Sequence, residues 1–358
     1  MRDPALSAIQ ERVRAAVAAK QPLVIRGGGT KAFYGETCEG EQLDTTTLTG
    51  IVAYAPGELV ITARAGTPLD EIEHAMGDQH QMLAFEPPHF DRGGTLGGAV
   101  AAGLSGPRRP YAGSVRDFVL GLKIVDGTGE ALAFGGRVMK NVAGFDVSRL
   151  QTGALGTLGL VTEVSLKCLP RPKTETTVVQ ECGVHDSIRR VNAWGGKPLA
   201  ISATLHDGAR LFVRLSGATT AVTAAIAVVG GERVQSDGEF WTSVRDHTHP
   251  FFDAARSNGR ALWRLSVKST APAAALPGDQ LIEWGGALRW LATSPDVDPA
   301  PIRAWAKANG GHATLFRGGT RTGVFAPLDA TTALLHRRLK ATFDPHRILN
   351  RGRLYPDV

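Results

Sequence analysis

The sequence is poor in cysteine, in aromatic residues and in long apolar runs. Its three cysteines, Cys38, Cys168 and Cys182, form no C-x-x-C pair. This spacing excludes a disulfide scaffold, and also a zinc or iron–sulfur centre built by this chain alone. Single buried thiols in a reducing compartment are expected instead. No stretch approaches the roughly 18 apolar residues of a membrane helix, and the start, Met1-Arg2-Asp3-Pro4, lacks an apolar signal core. We therefore expect no integral membrane segment, and a cytoplasmic protein or one held peripherally at the inner face of the plasma membrane through partners.

Basic residues exceed acidic ones, but they form no run. The formal net charge is +6, and lysines and arginines alternate with acids along the chain. Because no aromatic platform or basic tract appears, we expect no nucleic-acid partner. A modest positive field suits a small acidic substrate or the diphosphate of a flavin.

Glycine is the abundant residue, with 43 among 358, about an eighth of the chain against an average near 7%. The glycines cluster in loops, at 27–29, 93–98 and 153–159. Glycine allows the backbone to approach a ligand closely or to adopt positive φ. These clusters therefore predict a ligand held by main chain.

The first loop, R-G-G-G-T-K at 26–31, follows a predicted strand at 22–25. Consecutive glycine amides can converge on an anion, with Arg26 and Lys31 as flanking counter-charges and Thr30 as a hydroxyl donor. The spacing fits neither a Walker A loop nor G-x-G-x-x-G. A tight turn without a ligand is the alternative.

The second loop, G-G-T-L-G-G at 93–98, strengthens the prediction. Two such loops in one domain can hold the two ends of a diphosphate or pack its ribityl chain against bare backbone. The alternative is close packing of a helix on a sheet through Gly97, Gly98, Ala99 and Gly103.

The remaining pattern indicates an α+β protein. Asp3 is expected to cap a first helix and Thr67 a later one, and a hairpin is expected to join strands at 118–125 and 131–134. After Pro170 the glycine loops end, and strands alternate with helices to about Gly310 before a final helix at about 328–343.

An ordered series of motifs carries a specific resemblance. The series consists of R-G-G-G-T at 26–30, P-P at 87–88, G-G-T-L-G-G at 93–98, Y-A-G-S-V-R-D at 111–117, K-N-V-A-G-F-D at 140–146 and G-A-L-G-T-L-G-L-V-T at 153–162. It resembles the FAD-binding domain of the vanillyl-alcohol-oxidase, or p-cresol methylhydroxylase, family. F-D-P-H-R-I-L-N-R-G-R at 343–353 is similar to the C-terminal element with which that family returns to this domain.

The resemblance implies a two-part p-cresol methylhydroxylase-type fold in the α+β class. The FAD-binding domain would span 1–170, a separate α+β cap domain for substrate or partner 171–310, and a C-terminal segment returning to the FAD domain 311–358. The match covers most of 22–170 and the tail, and the cap domain matches more loosely.

The resemblance also implies which residues bind FAD. The first loop would hold the pyrophosphate, the second would approach the pyrophosphate and the flavin, and Val161 would meet the adenine. Asn350 would reach the flavin edge, with a helix-end cap as its alternative. The expected cofactor-binding residues are Arg26, Gly27, Gly28, Gly29, Thr30, Lys31, Pro87, Gly93, Gly94, Thr95, Gly97, Gly98, Gly103, Tyr111, Gly113, Ser114, Asp117, Gly153, Gly156, Thr157, Gly159, Val161 and Asn350.

We expect the FAD to be noncovalent. Some family members attach it through a histidine or cysteine near these loops, and the first loop contains neither. His89 is the only nearby imidazole, and Pro87-Pro88-His89 is expected to shape a turn.

With its short chain, the sequence is similar to the FAD-binding subunits of bacterial glycolate oxidases. This implies a role in a heteromeric glycolate, or 2-hydroxy-acid, oxidase complex, with a larger FAD-binding catalytic subunit and an iron–sulfur subunit as partners. Two alternatives remain: a self-sufficient FAD-dependent oxidoreductase acting on a small hydroxy acid, and a flavin-free scaffold subunit.

Catalytic residues are not evident. Catalytic subunits of the family carry H-G-H-x-G-D-G-N-x-H, whereas the nearest similar segment here, Gly310 to Thr314, has one histidine and no acid. His247 and His249 could pair, with a solvated loop as the alternative, and no metal site is expected. Arginine pairs could clamp a carboxylate, with surface charge or a subunit contact as the alternative. The weak catalytic candidates are Arg108, Arg109, His312, Arg317 and Arg321.

Overall fold

The computed structural model describes residues 3–136, 146–235 and 237–358. The helices are α1 Pro4–Ala19, α2 Leu69–Gly77, α3 Leu96–Ala102, α4 Arg109–Ala112, α5 Val115–Phe118, α6 Val147–Gln151, α7 Val184–Gly195, α8 Thr219–Val229, α9 Asp237–Asp246, α10 Pro250–Ser257, α11 Pro299–Ala308 and α12 Ala330–Phe343. The strands are β1 Leu23–Arg26, β2 Glu41–Asp44, β3 Ile51–Ala55, β4 Val60–Arg64, β5 Gln81–Met82, β6 Val119–Val125, β7 Ala131–Gly135, β8 Leu160–Lys167, β9 Leu169–Pro170, β10 Thr174–Glu181, β11 Ile201–His206, β12 Arg210–Gly217, β13 Glu232–Arg233, β14 Ala261–Ser266, β15 Asp279–Glu283, β16 Leu288–Thr293 and β17 His312–Arg317.

The chain divides into two compact units. The first unit comprises 1–104, 114–170 and 327–358, and the second comprises 105–113 and 171–326. The second unit therefore extends past Gly310, because β17 pairs with β14 in its sheet. Assigning FAD binding to the first unit and a cap role to the second remains a prediction.

The first unit is built on a five-stranded antiparallel sheet with strand order β3-β4-β8-β6-β7. A separate parallel pair, β1 and β2, carries the first loop at its end, and Leu23 of β1 bridges to Leu349 of the tail. The apolar face of α1, with Ile9 and Val13 buried, packs in one core cluster with these same two leucines. The burial of this helix and the tail fixes β1, and with it the first loop.

The second unit is built on an eight-stranded antiparallel sheet with strand order β13-β10-β12-β11-β15-β16-β14-β17. One apolar cluster joins α7 and α8 to strands β10 to β12. Another joins α11 to β14, β16 and β17. The alternating pattern seen in this half of the sequence thus produces a sheet with helices packed on it.

Most local predictions hold. Asp3 caps α1 by accepting from the Ala5 amide at 3.1 Å, and β6 and β7 form the expected hairpin. The predicted Thr67 cap is wrong: α2 begins at Leu69, and the Thr67 hydroxyl instead bonds the backbone of Gly50.

Burial of the cysteines is only partly as expected. Cys168 is buried, but Cys38 and Cys182 are half-buried, so the prediction of buried thiols is wrong for these two. Cys38 faces the Arg353 guanidinium at 4.0 Å, a polar neighbour that keeps this thiol near the surface. No helix in the described part of the chain is long and apolar enough to cross a membrane.

Candidate functional site

The first unit contains a cavity of about 210 Å³. Its charged lining residues are Arg26, Lys31 and Arg353, and among the described residues no acidic or histidine side chain lines it. The cavity therefore suits an anionic ligand. Thirteen of the predicted cofactor-binding residues line it: Arg26, Gly27, Gly28, Gly29, Thr30, Lys31, Thr95, Gly97, Gly98, Gly156, Gly159, Val161 and Asn350.

The first loop lines this cavity and has unused main-chain donors. The ladder between β1 and β2 ends at Arg26. Within the described residues, the amides of Gly27, Gly28, Gly29 and Thr30 donate to no protein acceptor. Gly27, Gly29 and Thr30 are half-buried and Gly28 is exposed, and main-chain amides withdrawn from water are almost always paired. Four neighbouring donors left open by the protein indicate a ligand that accepts from them.

Side chains of the first loop add positive charge beside these donors. The Arg26 guanidinium is exposed and donates to Gln42 Oε1 at 3.3 Å. Lys31 Nζ lies 3.4 Å from Thr30 Oγ1 and 5.5 Å from the centre of the Phe90 ring. Both cations line the cavity, where they can meet a phosphate group.

The second loop uses three of its main-chain donors within the protein, those of Leu96, Gly97 and Gly98. The amide of Leu96 donates to Thr67 O at 2.9 Å and that of Gly97 to Ala65 O at 2.7 Å, while Gly98 N donates to the capping hydroxyl of Thr95 at 3.3 Å. A methyl group on Gly97 would lie 2.7 Å from Ala65 Cβ. Gly97 therefore allows close packing of α3, as the alternative interpretation of this loop expected. Gly97 and Gly98 also line the cavity.

The two loops touch each other through bare backbone. A Cβ atom on Gly28 would lie 1.6 Å from the carbonyl oxygen of Gly93, and one on Gly27 would lie 2.5 Å from Thr95 Oγ1. No side chain fits at Gly28 unless the loops separate. These contacts hold the first loop beside the residues that precede and cap α3.

Asn350 of the tail fixes two walls of the cavity. Its Oδ1 accepts from the Ile25 amide at 2.7 Å, and its Nδ2 donates to Leu155 O at 2.6 Å. Gly156, at φ +75°, leaves room for this amide, since a Cβ there would lie 2.7 Å from Nδ2. The helix-end alternative is wrong, because α12 ends at Phe343 with Asp344 as its cap. Contact with the flavin stays a prediction.

A buried ion pair supports the tail. Lys340 Nζ lies 2.8 Å from Asp344 Oδ2 and donates to Thr157 O at 2.8 Å and Leu349 O at 2.7 Å. The Asp344 carboxylate also accepts from the amides of Ile348 and Leu349. Burial lowers the pKa of Lys340, and the Asp344 charge opposes that shift. Every polar group of this cluster finds its partner inside the protein.

Ten predicted cofactor residues do not line the cavity: Pro87, Gly93, Gly94, Gly103, Tyr111, Gly113, Ser114, Asp117, Gly153 and Thr157. Tyr111 and Gly113 belong to the second unit, while Ser114 and Asp117 form the capping box of α5. The motif at 140–146 lies, apart from Asp146, outside the described residues. Since FAD is larger than this cavity, which falls below the roughly 300–1,000 Å³ of pockets for drug-sized ligands, contact with these residues remains a prediction.

Several lining residues were not predicted, notably Cys38, Thr45 and Arg353. Thr45 accompanies the first loop because its hydroxyl donates to Arg26 O at 3.2 Å. Arg353 donates to Ala32 O at 2.9 Å. It is the last residue of the tail motif at 343–353, so that motif could have predicted its place at the cavity. Nothing in the sequence marked Cys38, whose thiol is a further group to consider for flavin attachment.

Among the catalytic candidates, the first arginine pair is engaged within the second unit. Arg108 is buried, with Nη2 at 2.5 Å from Glu175 Oε2 and Nη1 at 3.3 Å from Ser216 Oγ. Arg109 lies over the Trp284 ring at 4.6 Å. The surface-charge alternative is wrong for Arg108, because Glu175 neutralises it in the interior.

The other candidates lie elsewhere in the second unit. His312 is exposed at the start of β17, Arg317 is half-buried at its end, and Arg321 follows in a turn. The solvated-loop alternative is wrong for His247, which is 5% exposed and stacks on Phe252 at 3.9 Å. His249 caps α10, its Nδ1 accepting from Phe251 N.

His89 belongs to a polar cluster of the first unit. Its Nδ1 lies 3.2 Å from Asp70 Oδ1 and its Nε2 lies 3.3 Å from Glu73 Oε1. These ligand-type atoms all lie within 4.8 Å of one another. Because each ring nitrogen already faces a carboxylate, the group needs no ion, and the absence of a metal site stays a prediction.

Comparison with known proteins points to FAD as the cofactor. The family model described as "FAD binding domain" matches residues 6–135. The glycolate oxidase subunit GlcE of Escherichia coli (strain K12) is 46% identical over 351 residues, covering 98% of this chain and 97% of that protein. The glycolate oxidase subunit GlcD of Bacillus subtilis (strain 168) is 26% identical, covering 93% of this chain and 84% of that protein.

A solved structure of an alkyldihydroxyacetonephosphate synthase superposes with a TM-score of 0.66 at 16% identity, covering 96% of this chain and 74% of that one. At this identity the likeness shows the fold alone. The expected fold class, an α+β fold with a p-cresol methylhydroxylase-type FAD-binding domain, is confirmed.

Proposed function

Because the chain belongs to the family of the glycolate oxidase subunit GlcE, we propose that its first unit holds FAD without a covalent bond and passes electrons inside a glycolate oxidase complex. The chain is an FAD-binding subunit of a multi-subunit oxidoreductase acting on 2-hydroxy acids. Glycolate as the substrate, a larger FAD-binding catalytic subunit and an iron–sulfur subunit are the finer parts of this proposal.

One observation carries the proposal: four consecutive residues, Gly27 to Thr30, line a cavity, and their amides donate to no acceptor among the described residues. A diphosphate offers several acceptor oxygens and negative charge. Arg26 and Lys31, which also line the cavity, complete an anion site of the kind formed by successive main-chain N–H groups. The residues present therefore fit the pyrophosphate of FAD.

The other walls fit the less polar parts of the cofactor. Val161 and Ala65 line the cavity, and the glycines of α3 and of the Gly156 turn bring main chain close to its interior. When bound, FAD supplies the hydride and electron chemistry that amino-acid side chains lack. The residues of this chain bind and orient it, and the Asn350 bridge keeps the two walls at a fixed separation.

Among the described residues, no carboxylate or histidine is placed to act as a catalytic base in the cavity, and Arg108 is paired with Glu175. Oxidation of a hydroxy acid needs a base for the hydroxyl proton and a cation for the carboxylate. This supports placing glycolate oxidation on a sister subunit and electron transfer on this chain.

The test is anaerobic reduction of the flavin, followed by its absorbance, with glycolate as donor. We expect the isolated FAD-loaded chain to stay oxidised, and its flavin to become reduced once the larger subunit is present. An Arg26→Gln/Lys31→Gln variant should lose FAD, whereas Arg189→Gln, which removes an exposed arginine paired with Asp186, should keep it. Reduction of the isolated chain by glycolate would overturn the electron-transfer role and favour the self-sufficient oxidoreductase.

The noncovalent link is tested by acid precipitation. The supernatant should be yellow and the pellet colourless, and Cys38→Ser should behave identically. A yellow pellet that turns colourless in Cys38→Ser would show attachment through this thiol.

A further inference from the structure

The second unit contains a cavity of its own, of about 230 Å³. It lies between α10 and the ends of strands β14 and β17, and its lining residues are His247, Phe252, Ala255, Arg256, Gly259, Arg260, Leu262, Arg317 and Gly318. Three arginines thus line one cavity. Among the described residues no carboxylate lines it.

The acids that pair with two of these arginines do not line the cavity. Arg256 pairs with Asp253 and Arg260 with Asp279, whose side chains are 46% and 74% exposed. Solvent-exposed pairs of this type contribute about 0–1 kcal/mol. They orient these two guanidinium groups and compensate part of the positive charge at the cavity.

The inner end of the cavity is aromatic and carries no charge of its own. His247 stacks on Phe252 at 3.9 Å and meets Trp290 edge-on at 4.7 Å. Burial lowers the pKa of His247 well below its usual value, and the charges of Arg317, Arg264 and Arg256 lower it further. Burial also lowers the pKa of Arg317, and Arg256 adds to that shift. Arginine charges therefore repel one another across this space.

We propose that this cavity binds a small oxyanion with two or more negative charges, such as inorganic phosphate or a short dicarboxylate. Such an anion would accept hydrogen bonds from Arg256 and Arg317 and would remove their mutual repulsion. Arg260 would add a third positive charge, and the neutral His247 could donate or accept at the inner end. The proposal does not depend on the flavin site or on glycolate.

The experiment is isothermal titration calorimetry on FAD-saturated protein, so that the first loop is already occupied. Phosphate and malonate are the polyvalent probes, glycolate is the monovalent one, and sodium chloride matches the ionic strength. We expect saturable binding of phosphate, malonate or both, and at least about tenfold weaker binding of glycolate. Equal binding of all three anions, or no saturable binding of either polyvalent probe, would overturn the proposal.

A matched pair of variants locates the site. Arg256 and Arg189 are both exposed helix arginines paired with an aspartate three residues earlier, but only Arg256 lines the cavity. Arg256→Gln should weaken the polyvalent anion by about tenfold, the loss of one charge-assisted hydrogen bond, while Arg189→Gln should bind it like the wild type. Unchanged binding in Arg256→Gln, at an unchanged melting temperature, would place the anion elsewhere and overturn the assignment.

Discussion

The first and second loops of the first unit are both glycine-rich and touch each other, yet their main-chain donors differ. The amides of Gly27 to Thr30 have no acceptor among the described residues, whereas in the second loop those of Leu96, Gly97 and Gly98 have one and those of Gly93, Gly94 and Thr95 have none. The whole run of first-loop amides is therefore open to a ligand, whereas the second loop ends in amides that hold α3 in the fold. Glycine content alone does not separate these roles, and hydrogen-bond accounting does.

From this difference we expect substitutions to have two kinds of effect. Where polar groups find their partners inside the protein, a substitution should lower the free energy of unfolding whether or not FAD is present. Where open donors belong to residues that line the cavity, a substitution should lower FAD affinity and leave the apoprotein stable. The following changes test this separation.

The largest effect is expected at Lys340, whose ammonium group has all its partners inside the protein. Lys340→Met should lower the free energy of unfolding by about 3–5 kcal/mol, because Asp344 is left as a buried unpaired charge. Denaturant unfolding of the apoprotein measures this. Lys307 is an exposed lysine in the last turn of α11, and Lys307→Met is the matched control. An equally small loss in the free energy of unfolding in both variants would contradict the buried ion pair.

Gly28→Ala should break the contact between the loops. The new methyl group would meet Gly93 O at 1.6 Å, so the loops must separate, which we expect to cost about 3 kcal/mol and to abolish FAD retention. A methyl group on Gly57 would have no other atom within 4 Å, and Gly57→Ala should keep both stability and flavin. Normal FAD content in Gly28→Ala would show that the loops are not held as described.

Arg26→Gln tests the ligand-binding loop. The arginine is exposed and its only described side-chain acceptor is Gln42, so the apoprotein should unfold like the wild type. FAD affinity should fall by about tenfold, since a charge-assisted hydrogen bond contributes about 1.5 kcal/mol. Fluorescence titration with FAD measures it. If Arg26→Gln instead destabilised the apoprotein and left FAD affinity unchanged, the first loop would serve the fold and not the ligand, contrary to this interpretation.

Acid should weaken the second unit through Glu175. Burial raises the pKa of this carboxyl group, but the charges of Arg214 and Arg108 and the Ser216 hydroxyl outweigh it, and the folded pKa lies below 4.5. The pair therefore stabilises the fold above that pH, and this stabilisation is lost as the pH falls through the folded pKa. The stability advantage of wild type over Glu175→Gln should shrink between about pH 6 and about pH 3. A constant difference would contradict the ion pair.

The smallest effect is expected in the second loop at Thr95. Its hydroxyl caps α3, so Thr95→Ala should cost about 1 kcal/mol of apoprotein stability, with FAD affinity near the wild-type value. Thr95→Ser keeps the hydroxyl and should restore the stability. If Thr95→Ala lost FAD but kept the stability of the apoprotein, Thr95 would be a ligand-binding residue and not only a helix cap.

The sequence was sufficient to predict the α+β class, the capped first helix and the position of the first loop. In each case the signal is local: Asp3 before Pro4, or a strand followed at once by three glycines. It could not predict that Arg108 pairs with Glu175, because the two are 67 residues apart. Likewise, the burial of His247 depends on Phe252, Trp290 and Phe316, which only the folded sheet brings together. Cys38 and Thr45 line the cavity of the first unit, and their positions there also depend on long-range packing.

The most direct test of the central claim is a crystal structure of the FAD-bound protein. We predict that the pyrophosphate oxygens accept hydrogen bonds from the amides of Gly27 to Thr30, with Arg26 and Lys31 beside them and no bond between Cys38 and the flavin. A pyrophosphate held instead at the start of α3, with the first-loop amides facing water, would contradict it.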